Sequence, residues 1–151
     1  MTIPSTLSFI VGVCAAVVAT IALVWNIRKE KSRLKLKVES FGEFDSVADT
    51  GEVVTKEQVW VLIINDSYKP VIIKRVGFNY GSRADEYYEL NDNVCQRLKL
   101  KTKLSAGDSQ IWAIPMKDIK GRSGKPANYI YVEDGKYKRY KLKIPKYVLE
   151  D

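Results

Sequence analysis

VWVLII at residues 59–64, NDSYKP at 65–70 and VIIKRVGF at 71–78 together decide how this chain is built. A continuous short apolar run is typical of a strand covered on both faces. Asn65, Asp66, Ser67 and Pro70 are turn formers, and the apolar run behind them opens a second strand. Outward from these two strands, Leu34, Leu36 and Val38 alternate with Arg33, Lys35, Lys37 and Glu39. Further on, Leu98, Leu100, Thr102 and Leu104 alternate with Arg97, Lys99, Lys101 and Lys103. Residues 87–90 read as a short strand, and the Ala106-Gly107-Asp108 turn leads into a strand over 110–114. Glu133-Asp134-Gly135-Lys136 joins strands over 129–132 and 137–144 as a hairpin. No segment after Ser32 sustains a helical period. The pattern predicts a mainly β domain over residues 31–151, an antiparallel sandwich of about seven or eight strands with Trp60 in its core.

The N-terminal end reads differently. LSFIVGVCAAVVATIALVW at residues 7–25 carries no charge, and the first charged residue is Arg28. As a helix it is about 28 Å long, against a hydrocarbon core of about 30 Å. The preceding residues lack a basic n-region, and no small-residue cleavage site follows the run, so residues 1–30 are expected to be an uncleaved anchor with its basic flank. Trp25 falls where an interfacial aromatic belongs. After the helix come Arg28, Lys29, Lys31, Arg33, Lys35 and Lys37 against Glu30 alone. The positive-inside rule therefore predicts a single-pass protein of the inner, cytoplasmic membrane, with its N-terminus outside and its domain in the cytoplasm. Cys14 in the helix and Cys95 in the domain cannot pair within one chain, which excludes a disulfide framework. In that compartment the Asn65-Asp66-Ser67 sequon is inert and reads as turn chemistry.

Residue types argue against catalysis. The chain has no histidine, which removes Ser-His-Asp and Cys-His nucleophile systems and His-based metal sites. Gly121-Arg122-Ser123-Gly124-Lys125-Pro126 looks superficially like a phosphate loop, but its leading glycine would fall at Ile119, and Pro126 replaces the required Ser or Thr. Asp85-Glu86 and Glu133-Asp134 are adjacent acids at turns, where solvated charges are the norm. No enzyme activity, cofactor or metal is expected.

Charge is sorted along the chain. Lys and Arg number 25 and Asp and Glu 18, a net charge of +7. Residues 41–57 contain Glu43, Asp45, Asp49, Glu52 and Glu57 against Lys56, whereas residues 117–125 carry Lys117, Lys120, Arg122 and Lys125 against Asp118. On an up-and-down path, residues 41–57, Asp85, Glu86, Asp108, Glu133 and Asp134 fall at the end far from the helix. Residues 65–70, 117–126 and the C-terminus then return to the membrane side. This path assigns Arg28, Lys29, Lys31, Arg33, Lys117, Lys120, Arg122 and Lys125 to the anionic membrane surface. It leaves Glu43, Asp45, Asp49 and Glu52 as the candidate surface for a protein partner. Within the helix, Ser8, Gly12, Ala16 and Thr20 recur every four residues, a small-residue stripe suited to helix packing or self-association.

Several local stretches resemble immunoglobulin-like sandwiches. The run from Val61 through Asn65 and Pro70 to Ile73 resembles a hairpin of small domains of that kind, in which an Asn ends one apolar strand and a Pro opens the next. Leu104-Ser105-Ala106-Gly107-Asp108-Ser109 resembles their Leu-x-x-Gly-Asp/Glu turn, and residues 131–140 resemble their closing hairpin. The Cys-Trp-Cys core of antibody domains is missing. With the anchor, the chain is similar over most of its length to uncharacterised bacterial single-pass membrane proteins carrying one immunoglobulin- or fibronectin-III-like domain. That resemblance implies a fold and an anchor, and no activity. The expected function is a membrane-anchored, non-enzymatic interaction module, an adaptor or accessory subunit of a membrane-associated complex. The alternative is a binder of nucleic acid or another anionic ligand through Lys99, Lys101, Lys103, Lys141 and Lys143, although no nucleic-acid motif occurs.

Overall fold

The computed structural model describes residues 5–81, 84–121 and 124–150. Helix α1 (Ser5–Glu30) is 26 residues long, has a mean hydropathy of 2.7 in its most apolar window, and buries none of its residues in protein. It is long and apolar enough to span a membrane. A link of three residues leads to β1 (Leu34–Val47), followed by β2 (Val53–Asn65), β3 (Val71–Asn79), β4 (Glu86–Glu89), α2 (Asp92–Leu98) and β5 (Lys103–Leu104). The chain continues through β6 (Ser109–Pro115), α3 (Met116–Lys120), β7 (Tyr129–Asp134), β8 (Arg139–Lys143) and α4 (Lys146–Leu149).

The strands form a mainly β fold with antiparallel pairing throughout. One sheet has the order β1-β2-β6, and the other β4-β3-β7-β8 with β5 also paired to β3. Their facing sides make the core. Val59, Val61, Ile63, Trp112 and Ile114 meet Ile73, Val76, Phe78, Ile130 and Val132, all essentially inaccessible to solvent. The Trp112 and Phe78 rings lie 5.4 Å apart between centroids.

Several sequence expectations are corrected by the structure. β2 and β3 are not a hairpin: they lie in different sheets, and residues 65–70 cross from one to the other. Residues 59–64 are not covered on both sides. Val59, Val61 and Ile63 face the core, while Trp60, Leu62 and Ile64 are half-buried on the outer face. Trp112, not Trp60, is the core tryptophan. Strand alternation sends neighbouring side chains to opposite faces, and a run apolar at every position does not announce which set is inside.

Residues 41–57, read as an acidic connection, instead belong mostly to the strands themselves. β1 and β2 stay paired from Leu34↔Asn65 out to Val47↔Val53, with a bulge between Val38 and Ser40. β6 stops at Pro115, opposite Gln58, so the outer third of the hairpin is a two-stranded arm. Its tip turns tightly, with the Gly51 amide donating to the Ala48 carbonyl at 2.8 Å and Gly51 at φ 82°. At about 3.3 Å per residue, β1 spans roughly 45 Å from the helix junction to this tip.

Residues 98–104 are not a full strand. Asn91 caps α2 by accepting from the Val94 amide, Lys99 ends it in the left-handed conformation, and β5 keeps only two residues. β5 continues the direction of β4, so the chain makes one reversal fewer than the alternating pattern suggested. Every later connection changes ends. Residues 105–108 and 135–138 lie beside the helix junction, and α3, the loop after it and the C-terminus lie at the far end. Lys117 and Lys120 are thus removed from the α1 end, contrary to the path that grouped them with Arg28, Lys29, Lys31 and Arg33.

Candidate functional site

At the junction with α1, two turns of the sandwich grip the short link. The Ser32 hydroxyl donates to Asp134 Oδ2 at 2.8 Å, and the Tyr140 hydroxyl donates to the Ser32 carbonyl at 2.8 Å. On the other side the Asp66 amide donates to the Arg33 carbonyl at 2.8 Å, and Lys35 Nζ pairs with Asp66 Oδ2 at 2.8 Å. Lys35 holds the Asp66 carboxyl below its ordinary value, with help from Arg33. Burial pushes the Asp134 carboxyl up, but hydrogen bonds from Ser32, the Lys138 and Lys136 amides and Tyr140 outweigh it, leaving it below its ordinary value.

The 65–70 turn is itself locked by Asn65, which is fully buried. Its amide nitrogen donates to the carbonyls of Lys69, Leu104 and Ser105 at 2.8, 2.9 and 3.0 Å, and its side-chain oxygen accepts from the Ser67 amide at 3.0 Å and from the Ser67 hydroxyl. A buried amide this completely satisfied is a structural joint, which explains the sequon better than glycosylation does.

The outer faces of the two sheets contrast. On the three-stranded sheet, Trp60, Leu62 and Ile64 stand in register with Ala113, Ile111 and Ser109 of β6, and with Ser40, Lys37 and Lys35 of β1. Ile111 is 42% exposed, and Phe44 stacks on Trp60 with centroids 4.5 Å apart and planes at 12°. An apolar strip therefore runs along this face into the arm. On the five-stranded sheet, one row across four strands alternates in charge: Glu89, Arg75, Glu133, Arg139. Arg75 lies 2.8 Å from Glu89 and 3.5 Å from Glu133, and Arg139 lies 3.4 Å from Glu133 and 2.6 Å from Asp85. The Tyr131 ring lies over Gly77, Arg139 covers that ring at 3.9 Å, and the Tyr131 hydroxyl is buried without a hydrogen-bond partner among the described residues.

The residues singled out from sequence fall as follows. Arg28 and Lys29 occupy the last turn of α1, with Lys31 and Arg33 in the link. Lys117 and Lys120 are in α3 at the far end, where Lys120 Nζ lies 3.8 Å from Glu57 Oε1. Lys125 is exposed in the loop after α3, and Arg122 lies outside the described residues. Glu43 and Asp45 share one face of the arm opposite Glu57 and Thr55, and Asp49 and Glu52 are exposed at its tip. The Thr55 hydroxyl donates to Asp45 at 2.6 Å. Ser8, Gly12, Ala16 and Thr20 are exposed along α1, and the Thr20 hydroxyl is satisfied by the Ala16 carbonyl at 2.8 Å. The lysines of the alternative reading do not form one surface. Lys103 is on the β5 edge of the five-stranded sheet, and Lys141 and Lys143 are on β8 at its opposite edge.

Sequence reasoning missed Ser32, Asp134, Tyr140 and the outward set of Trp60, Leu62, Ile64 and Ile111. The Asp134-Gly135 turn was readable, but its bond to Ser32, 102 residues away, had no local signal. Among the described residues, no group of three or more His, Cys, Asp or Glu side chains is placed to hold a metal ion. No family model matches this chain, and neither does any curated protein or solved structure.

Proposed function

We propose that the chain is a membrane-anchored, non-enzymatic interaction module, an adaptor or accessory subunit of a membrane-associated complex, with its β domain on the cytoplasmic side. The observation that carries the reading is the apolar strip of Trp60, Leu62, Ile64 and Ile111 on the outside of the three-stranded sheet. A contiguous apolar face on a small domain marks a contact surface for another macromolecule. The acidic arm with Glu43, Asp45, Asp49 and Glu52 extends that surface away from the helix, and the small-residue stripe of α1 offers a second contact for self-association or a partner helix.

Further support comes from the topology. The order β1-β2-β6 against β4-β3-β7-β8 agrees with an immunoglobulin- or fibronectin-III-like sandwich, an architecture that serves binding on many cell-surface proteins. The basic link after α1 supports the cytoplasmic orientation. The test is recovery of the full-length protein from its native membranes in mild detergent, beside a Trp60→Ser/Ile111→Ser variant. The parent should bring down a defined partner that the variant loses. Recovery of the parent alone, or of the same partners by both, would sink the reading.

A further inference from the structure

Between the end of α1 and the 65–70 turn lies a recess of about 350 Å³, walled by Trp25, Arg28, Lys29, Arg33, Asp66 and Tyr68. Its size is within the range of ligand pockets, about 300–1,000 Å³. We propose that this recess is a binding site for the phosphate-bearing headgroup of an anionic phospholipid. The proposal rests on the reading of α1 as a membrane anchor and adds a defined ligand to it.

Charge selects the ligand class. Arg28, Lys29, Lys31 and Arg33 converge on the recess, and no carboxylate among the described residues pairs with any of them within 4.0 Å. The single acid in the wall, Asp66, is already neutralised by Lys35 at 2.8 Å. The Ser67 amide and hydroxyl are spent on Asn65 and on the Lys69 carbonyl. The groups left to meet a ligand are cationic, and guanidinium groups suit phosphate oxygens through paired donors.

Depth selects the source. The apolar part of α1 matches the hydrocarbon thickness, which puts Trp25 and Arg28 at headgroup level. Lys29 Nζ sits 5.5 Å from the Trp25 ring centroid, as expected of a cation held at such an interface. On the domain side the wall is fixed, with Ser32 tied to Asp134 and Tyr140 and the Arg33 carbonyl to the Asp66 amide.

Native mass spectrometry of the full-length protein in mild detergent tests the proposal, with phosphatidylglycerol and phosphatidylcholine titrated separately. One phosphatidylglycerol should be retained per chain, in clear preference to phosphatidylcholine. An Arg28→Gln/Arg33→Gln variant should bind it roughly thirtyfold more weakly, the effect of removing two cations at a membrane surface. A Lys141→Gln/Lys143→Gln variant, with the same change in charge on β8, should bind like the parent. Equal retention of both lipids, or equal loss in both variants, overturns the site. Displacement of the lipid by millimolar inorganic phosphate would reassign the recess to a soluble anion and overturn the lipid assignment. Alkaline carbonate extraction separates the two readings: release of the chain from membranes refutes the anchor, whereas a retained chain that holds no anionic lipid refutes only the pocket.

Discussion

The two outer faces of the sandwich solve opposite problems. The five-stranded sheet presents polar residues to solvent and pairs them among themselves. Each neighbour in the row Glu89, Arg75, Glu133, Arg139 has the opposite sign, and Tyr131 fills the space left by Gly77. Cross-strand pairs of opposite charge stabilise a sheet, and only the Tyr131 hydroxyl and Glu133 Oε1 are left buried without a hydrogen-bond partner among the described residues. The three-stranded sheet does the reverse. Its outward positions include Trp60, Leu62, Ile64 and Ile111, with Lys37 and Lys35 opposite Leu62 and Ile64 on β1. Leaving such side chains half in water is a standing cost, at about 25 cal/mol per Å² of apolar surface, which a bound partner would recover. One face pairs its charges within the fold, and the other leaves an apolar strip that the proposed partner would cover.

The contrast can be broken most forcefully at the two tryptophans. Trp112→Ala should cost about 3–5 kcal/mol of stability, as for an aromatic removed from a core, whereas Trp60→Ala should cost roughly 1–2 kcal/mol. Denaturant unfolding of the detergent-solubilised chain measures both, and equal losses would mean that the outer face is packed like the core. Gly77→Ala probes the paired face. A Cβ there would lie 2.6 Å from the Glu86 carbonyl oxygen and 2.8 Å from the Tyr131 ring, so the variant should lose about 1–3 kcal/mol in the same assay.

Acid sharpens the comparison further. Asp134 is held below its ordinary value in the folded chain, so its contribution is present above the unfolded value of about 4 and is lost as pH falls through the folded one. Unfolding midpoints should therefore drop below pH 4 in the parent, and Asp134→Asn should be less stable at neutral pH with a shallower acid limb. An unchanged acid limb would remove Asp134 from the account. The smallest expected effect is at Tyr131. Replacing its unpartnered hydroxyl by Tyr131→Phe should be neutral or stabilise by up to about 1 kcal/mol, and a clear loss would reveal a partner for that hydroxyl.

Sequence pattern was a good guide to strands and a poor one to faces and ends. The turn at Asn65 and the closing turn at Asp134-Gly135 carry local turn chemistry and both were legible, but the partners of the flanking strands were not: β2 and β3 lie in different sheets, so residues 65–70 cross between sheets and do not close a hairpin. The face of β2 that looks inward was not, because Trp60 and Leu62 are as apolar as Val59 and Val61. The helix α2 was hidden by its length of seven residues, since alternating Leu and Lys from position 97 onward extended a false strand across its end. That one error reversed the later connections and carried Lys117 and Lys120 to the wrong end. The Asn91-Asp92 start, a side-chain cap followed by an acid, was the one local signal for α2. Contacts between distant segments, such as Ser32 with Asp134 and Tyr140, have no sequence signature at all.

The most direct test of the contrast is photo-crosslinking in the native membrane, with a benzoylphenylalanine placed once at position 111 on the apolar face and once at position 141 on the paired face. The account predicts a discrete protein adduct from position 111 and none from position 141. The same adducts from both positions, or none from position 111, would contradict it.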